Sequence, residues 1–181
     1  MVEQALSSDP RDLIDRCLAG EEAAMVDLVE LYRDRVFRFC YRMLGQRQDA
    51  EDAAQETFVR MLRSLAAWDG RRDFEPWLLG IAGNRCRTLL AARKRRPATG
   101  LFAEEQLVDR TPDWHALSSL AEEVQLALLR LRPEHREAFV LFHENDLSYD
   151  QIAAAIQRPL GTVKTWIFQA RQQLMAQLRR R

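Results

Sequence analysis

The chain has 181 residues, 47% hydrophobic and 30% charged, with only seven Gly and six Pro. That length allows one medium domain or two small ones around a real core, and the composition excludes collagen-like or low-complexity chains. The formal net charge is zero, which taken whole argues against a uniformly basic nucleic-acid binder. The zero is a cancellation, with nets of −6 over residues 1–30, +1 over 31–70, +6 over 71–99, −7 over 100–157 and +6 over 158–181. Two separate basic blocks fit two contacts with a polyanion, although on charge alone ordinary solvated faces are the simpler account.

Helical spacing runs through nearly the whole chain, and alternating β-type patterns are absent. A short helix is expected from Asp12 to about Leu18. A second runs from about Glu21 to Leu44, with room for a break, and Gly45 suits its C-terminal cap. From Asp49, the residues Ala50, Ala53, Ala54, Thr57, Phe58, Met61, Leu62 and Leu65 share one face. The opposite face carries Asp49, Asp52, Gln55 and Glu56 in its first turns and Arg60 and Arg63 later, in accord with the helix dipole. Residues 66–75 read as a loop with a turn at Asp69-Gly70, and Pro76 fits the first turn of the next helix. That helix has Leu78, Ile81, Ala82, Cys86 and Leu89 as its buried stripe and ends in the basic run Arg93, Lys94, Arg95 and Arg96 before Pro97.

Residues 97–113, with Pro97, Gly100 and Pro112, read as a flexible linker. A second helical unit follows, with helices from Leu117 to Leu131 and from Pro133 to about His143. Ser148 with Gln151 three residues on is a capping box that opens a short helix, Tyr149–Ile156. After a turn at residues 157–161, the last helix buries Val163, Ile167, Ala170, Leu174 and Leu178. The fold class is therefore all-α: two small helical domains, 10–96 and 114–181, joined by the linker.

The last two helices have the form of a helix-turn-helix. With the apolar face buried, Thr162, Thr165, Gln169 and Gln172 share another face. Thr and Gln pair with base edges, while Arg158, Lys164 and Arg171 reach phosphates. A plain amphipathic helical hairpin fits the helix pattern equally well. The detail goes further: LSYDQIAAAIQRPLGTVKTWIFQARQQL, from Leu147 to Leu174, closely resembles region 4 of bacterial extracytoplasmic-function (ECF) sigma factors of RNA polymerase. Ser148, Tyr149, Ile152, Ala153, Pro159, Gly161, Thr162, Val163, Lys164, Ala170 and Arg171 carry the match. Residues 49–58, DAEDAAQETF, resemble region 2 of the same family. So do Phe74, Trp77, Leu78, Ile81, Ala82 and Asn84. These three matches in order cover most of residues 10–179.

The resemblance implies a job for each piece. The stripe Asp49, Asp52, Gln55 and Glu56 docks on the β′ clamp helices of core polymerase, with the β flap as a further contact. Arg71, Arg72 and Phe74 of the loop, with Asn84, Arg85, Arg87, Arg93, Lys94, Arg95 and Arg96, handle the −10 region of promoter DNA. Arg158, Thr162, Lys164, Thr165, Trp166, Gln169, Arg171 and Gln172 handle the −35 region. An anti-sigma factor is implied as a further partner. The chain departs from the family pattern at Gly80, where Arg is frequent, at Gly83, at Gln157 in place of a turn glycine, and at Trp166 and Gln169 in place of Arg. Trp77 is weighted towards the core, and the two glycines are expected to soften their helix.

Other chemistry is thin. Cys17, Cys40 and Cys86 are scattered and odd in number, which fits a reducing cytoplasm. No signal peptide or run of about 20 apolar residues is present, so the chain reads as a cytoplasmic protein with no membrane contact of its own. His115, His135 and His143 are isolated, no phosphate loop or nucleophile motif is evident, and neither a cofactor, a metal nor enzymatic activity is expected. Two rivals remain: a helix-turn-helix activator that does not replace sigma, and a sigma mimic that only binds an anti-sigma factor.

Overall fold

The computed structural model describes residues 10–95 and 119–179, and every regular element among them is helical. The expected linker at 97–113 and Arg96 lie outside the described residues. Four helices form a first group: α1 (Pro10–Leu18), α2 (Glu22–Leu44), α3 (Arg47–Ser64) and α4 (Phe74–Arg95), with a 3-10 turn at Leu65–Ala67. Four more form a second: α5 (Ser119–Leu129), α6 (Pro133–His143), α7 (Tyr149–Ile156) and α8 (Leu160–Leu178).

Helix α2 runs without the break the sequence allowed. Gly45 ends it at φ 75°, and its N–H donates to the Tyr41 carbonyl at 2.9 Å. Only glycine enters this left-handed region without Cβ strain. Helix α3 starts at Arg47, slightly before the expected Asp49, and buries Ala50, Ala53, Ala54, Thr57, Phe58 and Met61 against α2 and α4. Its small residues let α2 and α3 pack closely.

Helix α4 differs from expectation. It begins at Phe74, so Pro76 lies within the first turn, where its missing N–H has no helical partner to lose. Its stripe is not one-sided: Leu78, Ala82 and Cys86 are buried, Ile81 and Leu89 are only half-buried, and Leu79, Gly80 and Gly83 are buried on another side. The cause is tertiary, because α4 packs on α2 and α3 along one side and on α7 and α6 along the other.

Buried residues of the two groups form one continuous apolar cluster, from Leu13 in α1 to Leu174 in α8. Polar side chains knit the junction. Arg136 of α6, 4% exposed, donates to the carbonyl of Met43 in the first group and to those of Leu129 (2.9 Å) and Leu131 (3.1 Å). Burial pushes its guanidinium down to about 10. Gln125 accepts from Arg42 at 2.9 Å and donates to the Tyr41 carbonyl at 3.1 Å, and Arg42 also pairs with Glu144 at 2.9 Å.

Candidate nucleic-acid interface

The helix-turn-helix is built as the sequence predicts. Ser148 Oγ accepts from the Gln151 N–H at 3.2 Å, and Gln151 Oε1 accepts from the Ser148 N–H at 2.8 Å, closing the capping box on α7. Gln157 then turns the chain at φ 54°, ψ 51°. Thus the residue that replaces a turn glycine carries the left-handed conformation itself. Helix α8 buries Val163, Ile167, Ala170 and Leu174 against the second group, whereas Leu178 is exposed, contrary to expectation, since it lies at the helix end.

Packing of that stripe leaves Lys164, Thr165, Gln169 and Gln172 exposed on α8, with Arg158 exposed on the turn before it. Thr162 is half-buried, and its N–H caps onto the Pro159 carbonyl at 2.9 Å. The Thr165 hydroxyl donates back to the Gly161 carbonyl at 2.8 Å, which leaves its oxygen lone pairs outward. Lys164 lies over the Tyr149 ring at 5.7 Å. Two predicted contacts are turned inward. Trp166 is half-buried beside His135, with ring centroids 6.1 Å apart, and Arg171 lies over the Phe142 ring while its Nε donates to His143 Nε2 at 3.0 Å. That bond requires a neutral His143, and burial with Arg171 alongside pushes the His143 imidazole below its ordinary range. Phe168, 61% exposed, stands among the polar residues of the same face, and the sequence pattern did not mark it.

Along α3, Asp52 and Gln55 are exposed on the side away from the core. Glu56 accepts from Arg60 at 2.7 Å, and this hydrogen bond holds its carboxyl below the usual range. Asp49 departs from the row, because its carboxylate pairs with Arg93 near the end of α4, whose Nη2 also donates to Gln46 at 2.9 Å. The acidic stripe and the basic run are thereby tied to each other.

The loop between α3 and α4 is ordered by its own chemistry. Asp69 Oδ1 accepts from the Arg71 N–H at 3.1 Å, and Arg72 and Asp69 lie 3.6 Å apart. Arg71 and Arg72 are exposed as expected. Phe74 is 5% exposed and forms an aromatic hub with Tyr32 (5.3 Å), Trp68 (5.5 Å) and Trp77 (5.5 Å). It anchors the loop from inside and presents no surface to DNA, while Trp77 packs against the core.

The basic face of α4 is only partly open. Asn84, Lys94 and Arg95 are exposed, but Asn84 Oδ1 accepts from Arg87 at 2.9 Å, and Arg87 pairs with Glu137 of α6. Arg85 is half-buried, with its Nε enclosed and unpartnered. Glu137 is 1% exposed, and burial pushes its carboxyl up while Arg87 opposes the shift. No local pattern points to Glu137, although Gly80 and Gly83 at i, i+3 spacing are a legible mark of close helix approach. A Cβ on Gly80 would lie 2.7 Å from the Ala155 carbonyl oxygen of α7, and one on Gly83 would collide with Glu137. The glycines are explained by packing, not by a softened helix.

The comparisons with known proteins decide the family. The family model for Sigma-70 region 2 matches residues 28–96, and that for Sigma-70 region 4 matches residues 121–174. The ECF RNA polymerase sigma factor SigW of Bacillus subtilis is 35% identical over 173 residues, spanning 88% of this chain and 91% of SigW. The chain belongs to the ECF sigma factors of RNA polymerase. Sigma-H of Pseudomonas aeruginosa is 33% identical, covering 90% of each chain. Among solved structures, CnrH in complex with the cytosolic domain of CnrY matches with a TM-score of 0.70 and 26% identity, over 94% of this chain and 97% of that one. As a sigma factor, the chain has region 2 in α2–α4 and region 4 in α5–α8.

Among the described residues of this sigma factor, no group of three or more His, Cys, Asp or Glu is placed to hold a metal ion, and no helix is long and apolar enough to cross a membrane. Its three cysteines are buried, and a hydrogen bond with Cys40, followed by burial, pushes the Cys86 thiol up.

Proposed function

We propose that the chain acts as an alternative sigma factor without catalytic chemistry of its own, through a division of labour between its two helical groups. The α3 face bearing Asp52, Gln55 and Glu56 docks on the β′ clamp helices. The loop arginines Arg71 and Arg72, with Asn84, Arg85, Arg87 and the basic end of α4, hold the −10 region. The α8 face of Lys164, Thr165, Gln169 and Gln172, with Arg158, reads the −35 region. The observation that carries this reading is the capped helix-turn-helix whose second helix leaves a polar, basic face uncovered. Its Thr and Gln side chains offer base-edge hydrogen bonds, and its cations offer phosphate contacts. An anti-sigma protein is a further partner, in keeping with CnrH, a relative bound to CnrY.

The deciding experiment is run-off transcription with core polymerase plus this protein over genomic templates, with start-site mapping. Promoter-specific transcripts that need the protein are expected. Their absence on every template overturns the reading.

A further inference from the structure

The surface that would face the −10 region is covered by the chain's own region 4. Three contacts show this. The guanidinium of Arg87 is engaged by Glu137. The backbone of α7 at Ala155 lies directly on Gly80, close enough that any Cβ there would strike its carbonyl. Gln151, whose Oε1 caps α7, uses its Nε2 to donate to Asp73 Oδ2 in the α3–α4 loop at 2.6 Å. One amide therefore both starts the first helix of the helix-turn-helix and fastens that helix to the loop. Between the loop and the turn before α7 lies a cavity of about 380 Å³, lined by Tyr32, Trp68, Arg72, Asp73, Asn145 and Gln151 from both groups. The exposed face of α8 lies outside this junction.

We propose that Glu137, Gln151 and the α7 backbone over Gly80 form an autoinhibitory contact, in which region 4 closes over the −10 surface of region 2 and must swing away before that surface takes DNA. The inference rests on the function proposed above. Arg87 cannot bind a phosphate while Glu137 holds it, because both acceptors compete for the same guanidinium. The closure is suited to reversal. A buried ion pair gains little net stability, since desolvation of Glu137 offsets its attraction to Arg87. An occupant that offers a more favourable set of contacts on region 2 shifts the population to the open form. The glycines are what permit closure, because with a side chain at position 80 the two helices cannot approach.

Gly80→Ala and Gly80→Leu test this without changing charge. The first favours helix in α4 and the second adds bulk against the Ala155 carbonyl. Small-angle X-ray scattering reads the compactness of the free full-length protein, and fluorescence anisotropy reads its affinity for a short single-stranded DNA of mixed sequence. The variants are expected to be expanded, Leu more than Ala, with unchanged helical circular dichroism. Affinity for the DNA should rise by about tenfold if the closed form holds ~90% of the wild-type population. Expansion without a gain in affinity, or a Gly80→Leu protein as compact as wild type, overturns the proposal. Should Gly80→Leu lose helicity, the same two readouts on Gly80→Ala decide. Wild-type run-off transcription serves as a separate measurement: its failure sinks the sigma reading, while the scattering and anisotropy results speak to closure alone.

Discussion

Several side chains that look interchangeable in the sequence have opposite environments in the fold. His135 and His143 are both kept below their ordinary range, in each case chiefly by burial. A histidine with a lowered folded pKa contributes fully above its unfolded value, about 6.5, and loses that contribution as the pH falls towards the folded value. Glu137 has the opposite sign, since its carboxyl is raised. Its contribution is complete below the usual carboxylate value and is lost as the pH rises through the folded one. Thermal unfolding followed from pH 7 down to about 5 should therefore show falling stability from the histidines. His135→Gln should flatten that slope, and Glu137→Gln should steepen it by removing the opposing carboxyl. A wild-type slope unchanged by His135→Gln would show that this imidazole does not titrate differently in the folded state.

Individual elements carry both the recognition and the weak points. The turn between α7 and α8 depends on Gln157 at φ 54°. A non-glycine residue there is strained by about 1–2 kcal/mol, partly offset by its lower freedom in the unfolded chain. Gln157→Gly is thus expected to stabilise the helix-turn-helix by up to about 1 kcal/mol in denaturant titration, and a loss of stability would contradict the strain. On α8 the exposed Thr165 and Gln169 are the base readers of choice, whereas Trp166 and Arg171 are held inward. Replacing Thr165 and Gln169 with Ala should reduce −35 discrimination by ~1–3 kcal/mol for each well-formed base pairing removed, measured as transcription from matched and mismatched promoters. Equal selectivity would move the reading face elsewhere on the helix. On α3, Asp52→Lys with Glu56→Lys should weaken binding to core polymerase while shifting stability by no more than about 0.5 kcal/mol per site, because both sites lie on the solvent side. Titration of labelled core enzyme checks this, and unchanged affinity would remove the stripe from the docking surface.

For the whole molecule, the zero net charge acquires a spatial meaning. The acidic block at 100–157 supplies Glu137 and Glu144, and these pair with Arg87 and Arg42 of the first group. Part of the cancellation along the chain is therefore made by contacts across the junction. The remaining cations at Arg71, Arg72, Lys94, Arg95, Arg158 and Lys164 stay exposed. A protein so balanced has little long-range attraction for DNA and depends on local, exposed clusters for what binding it has.

Helix order and type, the C-terminal cap at Gly45, the capping box at Ser148 and the apolar stripes of α3 and α8 were legible in the sequence, because each rests on neighbours within one or two turns. The family motifs were legible for the same reason, and with them the exposed members of the candidate surfaces on α3 and α8. What local pattern could not express was the second packed side of α4. Gly80 and Gly83 look like weak points until α7 and α6 lie against them, and Arg87 looks like a DNA contact until Glu137, fifty residues away, takes it. Phe74 likewise looks like a loop residue until Tyr32, Trp68 and Trp77 enclose it. The sequence by itself determined the helices, their caps and the family. The tertiary structure alone decided which charged groups face solvent and which face each other, because burial and pairing depend on residues brought together from distant parts of the chain.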